Sequence, residues 1–181
     1  MASKNILHPA RYHGFSAKAP FFEGWYFKLV SADQKTRFAI IPGVYLAPEE
    51  ANSHCFIQVF DSTANQTRYH RYDLDAFNAS HDSFELNVGS SYFSMDRIDV
   101  DINDDLGSLK GTLRFENRHP WPVHFFSPGA MGWFAWVPFM ECYHGVVSMD
   151  HVIQGKLQFD GDWLDFNDGR GFMGKDWGEQ F

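Results

Sequence analysis

The chain has 181 residues, enough for one sizeable core, and 44% of them are hydrophobic while 21% are charged. Its formal charge of −8, from 23 acidic and 15 basic residues, argues against a nucleic-acid partner, which needs a basic footprint, and against a polybasic grip on anionic lipid. Aromatics reach 18%, with 19 Phe, and so large an apolar payload supports either a large core or an apolar ligand cavity.

The N-terminus lacks the apolar stretch of a signal peptide, and nowhere do about 18 apolar residues run together. Residues 1–19 are expected to be an extension, and 20–181 a single β-barrel domain. From 22 to 31 the residues fit a strand on which Glu23 shares a face with Trp25, Phe27 and Leu29, while Tyr26 and Lys28 point the other way. A carboxylate on an apolar face either sits at a solvated or ion-paired strand end or is desolvated and held protonated. Further strands are expected at 36–46, 53–61, 67–74 and 83–88, separated by polar turns. Cys55 reads as a small buried hydrophobe within this series, as does Cys142 later, and two such cysteines make no disulfide scaffold. The cleanest two-residue alternation, Ile98-Val100-Ile102 and Leu109-Gly111-Leu113-Phe115, flanks the turn-rich link 103–108 and predicts a hairpin.

From 117 to 139 the rhythm breaks. Pro120, Pro122, Pro128 and Pro138 forbid a continuous element, while Trp121, Trp133 and Trp136 make the segment apolar. Such a loop either packs as an irregular part of the core or lies over a cavity mouth. Strands resume at 143–149, 151–160 and 170–176. Within them Glu141, His144, Ser148 and His151 place four polar groups among apolar neighbours, a pattern shared by hydrogen-bonded core groups and by catalytic sites. Many short strands at near-regular spacing predict an all-β sandwich or barrel. No zinc spacing, phosphate loop or nucleophile elbow is present, so neither a metal nor a cofactor is expected. The compartment expected is the cytoplasm.

Three stretches carry a family resemblance: Phe22-Glu23-Gly24-Trp25-Tyr26-Phe27-Lys28, Phe56-Ile57-Gln58-Val59-Phe60-Asp61-Ser62, and the block from Pro128-Gly129-Ala130-Met131-Gly132-Trp133 through Glu141-Cys142-Tyr143-His144-Gly145. Ser148-Met149-Asp150-His151 and Lys175-Asp176-Trp177-Gly178 extend it to the C-terminus. Together they resemble the tocopherol cyclase family. The resemblance implies an antiparallel lipocalin-like β-barrel. It also implies closure of a prenylated hydroquinone to a chromanol, in which an alkene is protonated and the phenol oxygen captures the tertiary cation. That chemistry needs an acid in an apolar site, for which Glu23, Glu141 and Asp176 are candidates, and a proton acceptor, for which His144 and His151 serve. It needs ring faces for a cation, offered by Trp25, Trp133, Trp136 and Tyr143, with Tyr26, Gln58 and Ser148 as further substrate contacts. The chain departs from the family in two ways. The second barrel-like half that members typically carry is expected to be absent, and Gly174 stands where the family often has an acidic residue. Two other readings fit the residues as well. The domain binds an apolar small molecule without converting it, or its aromatic loop docks a partner.

Overall fold

The computed structural model describes residues 6–137 and 140–179. Its strands are β1 (Phe21–Val30), β2 (Arg37–Leu46), β3 (His54–Asp61), β4 (Gln66–Tyr72), β5 (Phe77–Ala79), β6 (Glu85–Val88), β7 (Ser91–Ser94), β8 (Arg97–Asp104), β9 (Gly107–Glu116), β10 (Val123–His124), β11 (Ser127–Pro128), β12 (Cys142–Phe159), β13 (Asp162–Asp165) and β14 (Gly169–Gly178). Twelve of them form one antiparallel sheet in the order β4-β3-β2-β1-β14-β12-β9-β8-β7-β6-β5, with β13 paired to β12. The architecture is all-β and antiparallel, as the alternation predicts, and is consistent with the lipocalin-like fold that the resemblance implies. The expected hairpin is β8–β9, in register from Arg97↔Arg114 to Asp104↔Gly107.

The first and last long strands, β1 and β14, are neighbours, so the meander returns on itself. Its free edges are β4 and β5, joined in the chain by a short turn at Leu74–Ala76; among the described residues no ladder closes them. Side chains tie the β4 edge across the curl instead. Arg68 makes a two-pronged bond to Asp160, with Nη1–Oδ1 at 2.9 Å, and His70 Nδ1 lies 2.7 Å from Asp104 at the end of β8. The inner faces meet in one core that includes Trp25, Phe27, Ile40, Ile57, Leu113 and Met173. Burying these side chains favours the fold by about 1.5–3 kcal/mol each.

The expected strands 143–149 and 151–160 are one strand, β12, with register shifts between Val146 and Ser148 and again before His151. Bulges re-aim side chains. Strict alternation would keep Ser148 on the face of His144. Instead His144 is exposed, while Ser148 and His151 are wholly buried. Strands 77–79, 91–94 and 162–165 are too short to have declared themselves by alternation.

The β9–β12 ladder brings two backbones unusually close. Gly111 (φ 140°) and Gly155 (φ 129°) lie where a Cβ would meet Lys156 O at 2.4 Å and Thr112 O at 2.2 Å. Gly155→Ala is expected to cost about 2–3 kcal/mol. Urea denaturation measures it, and a loss below about 0.5 kcal/mol would show that the ladder can yield.

Candidate functional site

The pleat of β1 and β14 divides the ionisable groups between two environments. On the inner side stand Glu23 and Trp25 of β1 and, paired with them in register, Trp177 and Lys175 of β14. Glu23 and Lys175 are both fully buried and form an ion pair. The chain before β1 seals them. The backbone N–H of His13 donates to both Glu23 carboxylate oxygens at 3.0 Å, and Trp25 Nε1 donates to Ala10 O at 2.9 Å. Lys175 also donates to Arg11 O, and its Nζ lies 4.7 Å from the Trp25 ring centroid and 5.1 Å from that of Trp177. Burial raises the Glu23 pKa against the pull of Lys175, and burial lowers that of Lys175 to about 8. His13, pushed to about 3 by burial and then by Lys175, is neutral. Its Nδ1 faces Lys175 Nζ at 3.4 Å and its Nε2 meets His8 O at 3.1 Å, which assigns the tautomer with the proton on Nε2. The acid singled out on the apolar face is therefore present, but salt-bridged and enclosed. The residues that cover it, Ala10 to His13, precede β1.

A second polar group lies inside, at the bulged part of β12. Ser148 Oγ donates to Asp150 O at 2.9 Å and accepts from His151 Nδ1 at 3.1 Å. The His151 ring lies 4.6 Å from that of Phe115, and its Nε2 has no partner among the described residues. That nitrogen occupies the space a side chain at Gly171 would fill. Burial and the nearby Arg118 lower the His151 pKa to about 4.

The outer side of the same strands carries an aromatic groove of about 640 Å³. Its lining comes from Phe22, Gly24 and Tyr26 on β1, Ile41 and Tyr45 on β2, Phe56 and Gln58 on β3, Tyr69 on β4, and Asp176 and Glu179 at the end of β14. Gly24 and Gly43 are directly opposite in the β1–β2 ladder. A Cβ at Gly43 would sit 2.4 Å from Phe56 Cζ, so the missing side chain is what lets that ring lie down on the sheet. Phe56 stacks on Tyr69 at 4.9 Å, and His54 Nε2 bonds the Tyr69 hydroxyl at 2.8 Å. Burial raises the Tyr69 pKa to about 12, so the phenol keeps its proton.

At the β14 end His144 Nδ1 bonds Asp176 Oδ1 at 2.7 Å, and this bond raises the His144 pKa above its ordinary value. Asp176 fixes the ring through Nδ1 and leaves Nε2 to exchange a proton. A Cβ at Gly174 would lie 2.9 Å from Phe172 Cε1, so the missing side chain makes room for that ring.

The structure thus brings together Tyr26, Gln58, His144 and Asp176, and separates them from Glu23, Trp25, Ser148 and His151. Tyr143 packs inward on Trp177 at 5.7 Å and donates to Val137 O. Glu141 is exposed beside the C-terminal end of β14, Trp133 projects outward, and Trp136 is half-buried against Phe125. Tyr45, Phe56 and Tyr69 escaped the sequence reading, although Phe56 shares parity with Gln58. Lys175 and His13 escaped as partners of Glu23. Among the described residues no three His, Cys, Asp or Glu gather as a metal site, and no helix is long and apolar enough to cross a membrane.

No protein-family profile matches the chain, and no curated protein does. Solved structures do. CghA aligns over 90% of this chain with a TM-score of 0.52 at 11% identity. A chain assigned to AttH from Nitrosomonas europaea aligns over 92% with a TM-score of 0.51 at 15% identity. CghA with Sch210972 aligns over 89% with a TM-score of 0.50 at 12% identity. The chain spans about half the length of these structures, 47%, 54% and 46%. At such identities the likeness is one of fold.

Two outcomes follow from the buried groups. Glu23→Gln or Lys175→Met, each leaving one charge unpaired, is expected to cost about 3–5 kcal/mol, and the double variant less than the sum. Additive losses in chemical denaturation would dissolve the pair as a unit. Because the folded-state pKa of His151 is depressed, its contribution is complete above pH ~6.5 and drains away as pH falls toward about 4, by about 3 kcal/mol at most. In His151→Leu the stability difference between neutral and acid pH should shrink; an unchanged difference would remove His151 from the acid response.

Proposed function

We propose that the chain is a tocopherol cyclase-like protein whose outer groove holds an isoprenoid with an aromatic or quinol head, and that the His144–Asp176 pair moves the proton of a ring closure. The observation that carries this reading is the 2.7 Å His144–Asp176 bond, whose Asp176 lines a groove that also holds the rings of Phe22, Tyr26, Tyr45, Phe56 and Tyr69. Supporting it are the resemblance at 128–151 and 175–178 and the fold shared with CghA, which has been solved with Sch210972.

The step balances without a cofactor. The His144 imidazolium gives its Nε2 proton to the less substituted alkene carbon while the phenol oxygen bonds to the tertiary carbon. The phenolic proton then returns to His144, so substrate and product are isomers. Carbon–oxygen bonding in concert with proton delivery avoids a free carbocation, and the faces of Tyr26, Phe56 and Tyr69 suit the partial charge that develops. Glu23 takes no part, since Lys175 holds it inside.

A second reading keeps the groove and omits the proton step. It is favoured by the placement of the most deeply buried acid, Glu23, away from the groove and in an ion pair. On that reading the domain binds an apolar small molecule.

Incubation with a prenylated hydroquinone is expected to give the chromanol, with turnover falling as pH rises through the His144 pKa, above ~6.5. Asp176→Asn should move that limb to lower pH, and His144→Gln should reduce turnover at least about a hundredfold while leaving binding largely intact. NMR titration of His144 provides the matching pKa shift. Binding of the quinol without conversion across pH 5–8 would establish the binding reading instead.

A further inference from the structure

The segment between β9 and β12 holds a surface that the groove does not use. Phe125 and Phe126 form the two-residue turn of the small β10–β11 hairpin, and Trp133 and Phe134 begin the short helical turn Gly132–Trp136 behind it. These four side chains are 59% to 74% exposed, and Trp121 just before the hairpin is 38% exposed. The platform beneath them is packed. Phe125 lies 5.4 Å from Trp136, Ala135 is buried, and Met131 Sδ accepts the His144 backbone N–H at 3.0 Å. The rings are therefore presented from a fixed support.

Charge separates this segment from the rest of the chain. Although the protein carries −8 overall, there is no Asp or Glu from 117 to 140. A carboxylate carried into a headgroup layer meets phosphate and loses hydration, so this lack of acids suits a lipid surface. The shape suits it too. The Phe125-Phe126 rings stand on a turn, 5.3 Å apart and perpendicular. A protein partner would need a shaped pocket for each, whereas a bilayer interface accepts rings singly, as interfacial Trp and Phe do.

We infer that the 121–134 tip is a membrane-docking surface that inserts Phe125, Phe126, Trp133 and Phe134 into the interface of a lipid bilayer. Docking places the His144 end of the groove beside the lipid through the Met131 contact, so that an apolar molecule can pass between bilayer and groove without crossing water.

The test is cosedimentation of the full chain with sucrose-loaded phosphatidylcholine vesicles at about 0.1 M and about 0.5 M salt, with no substrate present, so the result stands apart from the groove chemistry. Binding is expected at both salts, with a blue shift of tryptophan emission. Phe125→Ser/Phe126→Ser and Trp133→Ser/Phe134→Ser should each weaken it at least about tenfold with the melting temperature unchanged. The inference fails if the protein stays in the supernatant, if binding vanishes at the higher salt, or if the variants bind like the parent. A concentration-dependent dimer that the same substitutions abolish, without vesicle binding, would give the surface to a second copy of the chain.

Discussion

The antiparallel ladder between β1 and β14 is the constraint from which both sides of this protein follow. In register, Glu23 faces Trp177 and Trp25 faces Lys175, while Gly24 faces Asp176 and Tyr26 faces Gly174. Successive side chains of a strand point to opposite faces. One pairing therefore sends an acid, an amine and two indoles inward, and a carboxylate, a phenol and two bare glycines outward. A slip of β14 by one residue would turn Lys175 outward and Asp176 inward, leaving Glu23 beside a second carboxylate in the core. The Glu23–Lys175 pair opposes that slip, because each charge is tolerable in the interior only with the other beside it.

This division explains why the acid most visible in the sequence is not the one at the groove. A carboxyl among Trp25, Phe27 and Leu29 has the surroundings of a raised-pKa proton donor. Yet the His13 N–H donates to both its oxygens and Lys175 neutralises it, so neither oxygen is offered to a ligand. His144 and Asp176 are the reverse case. They are partly exposed, and alternation alone does not distinguish them from any surface pair. What sets them apart is position: they lie across the β12–β14 ladder from one another, and Asp176 stands at the end of the aromatic groove.

The long strands were legible because two-residue alternation survives wherever a sheet has one buried face, and the β8–β9 hairpin is the cleanest instance. Parity also placed Glu23 and Trp25 inside and Tyr26 outside. It failed on β12, where the bulges carry Ser148 and His151 inward and leave His144 outside, so four polar groups that are close in sequence serve three environments. No local pattern encodes a bulge whose cause is the strand beside it. Nor could parity find the partners of Glu23: Lys175 lies more than 150 positions away, and His13 contributes a backbone N–H. The groove was hidden for a related reason. Its depth comes from side chains that Gly24 and Gly43 lack, and an absence on one strand becomes a feature only when a neighbour's ring, here Phe56, fills the space.

Of the segment 117–139, residues 138 and 139 lie outside the described residues, and the rest divides into two parts that its composition blended. Its buried members, Ala135 and the half-buried Trp136, are an irregular outer layer, whereas Phe125, Phe126, Trp133 and Phe134 stand mostly exposed, with Phe125 resting on Trp136. Pro120, Pro122 and Pro128 keep its described part out of the large sheet, and the 3.0 Å contact of Met131 with the His144 backbone holds it there. That contact is made to the residue whose side chain reaches Asp176. The aromatic tip is thus joined to the His144–Asp176 pair through one amide and one thioether. The loop neither fills the core nor roofs the groove; it buttresses the β12 side of the His144–Asp176 pair, and its outward rings remain free to meet another phase.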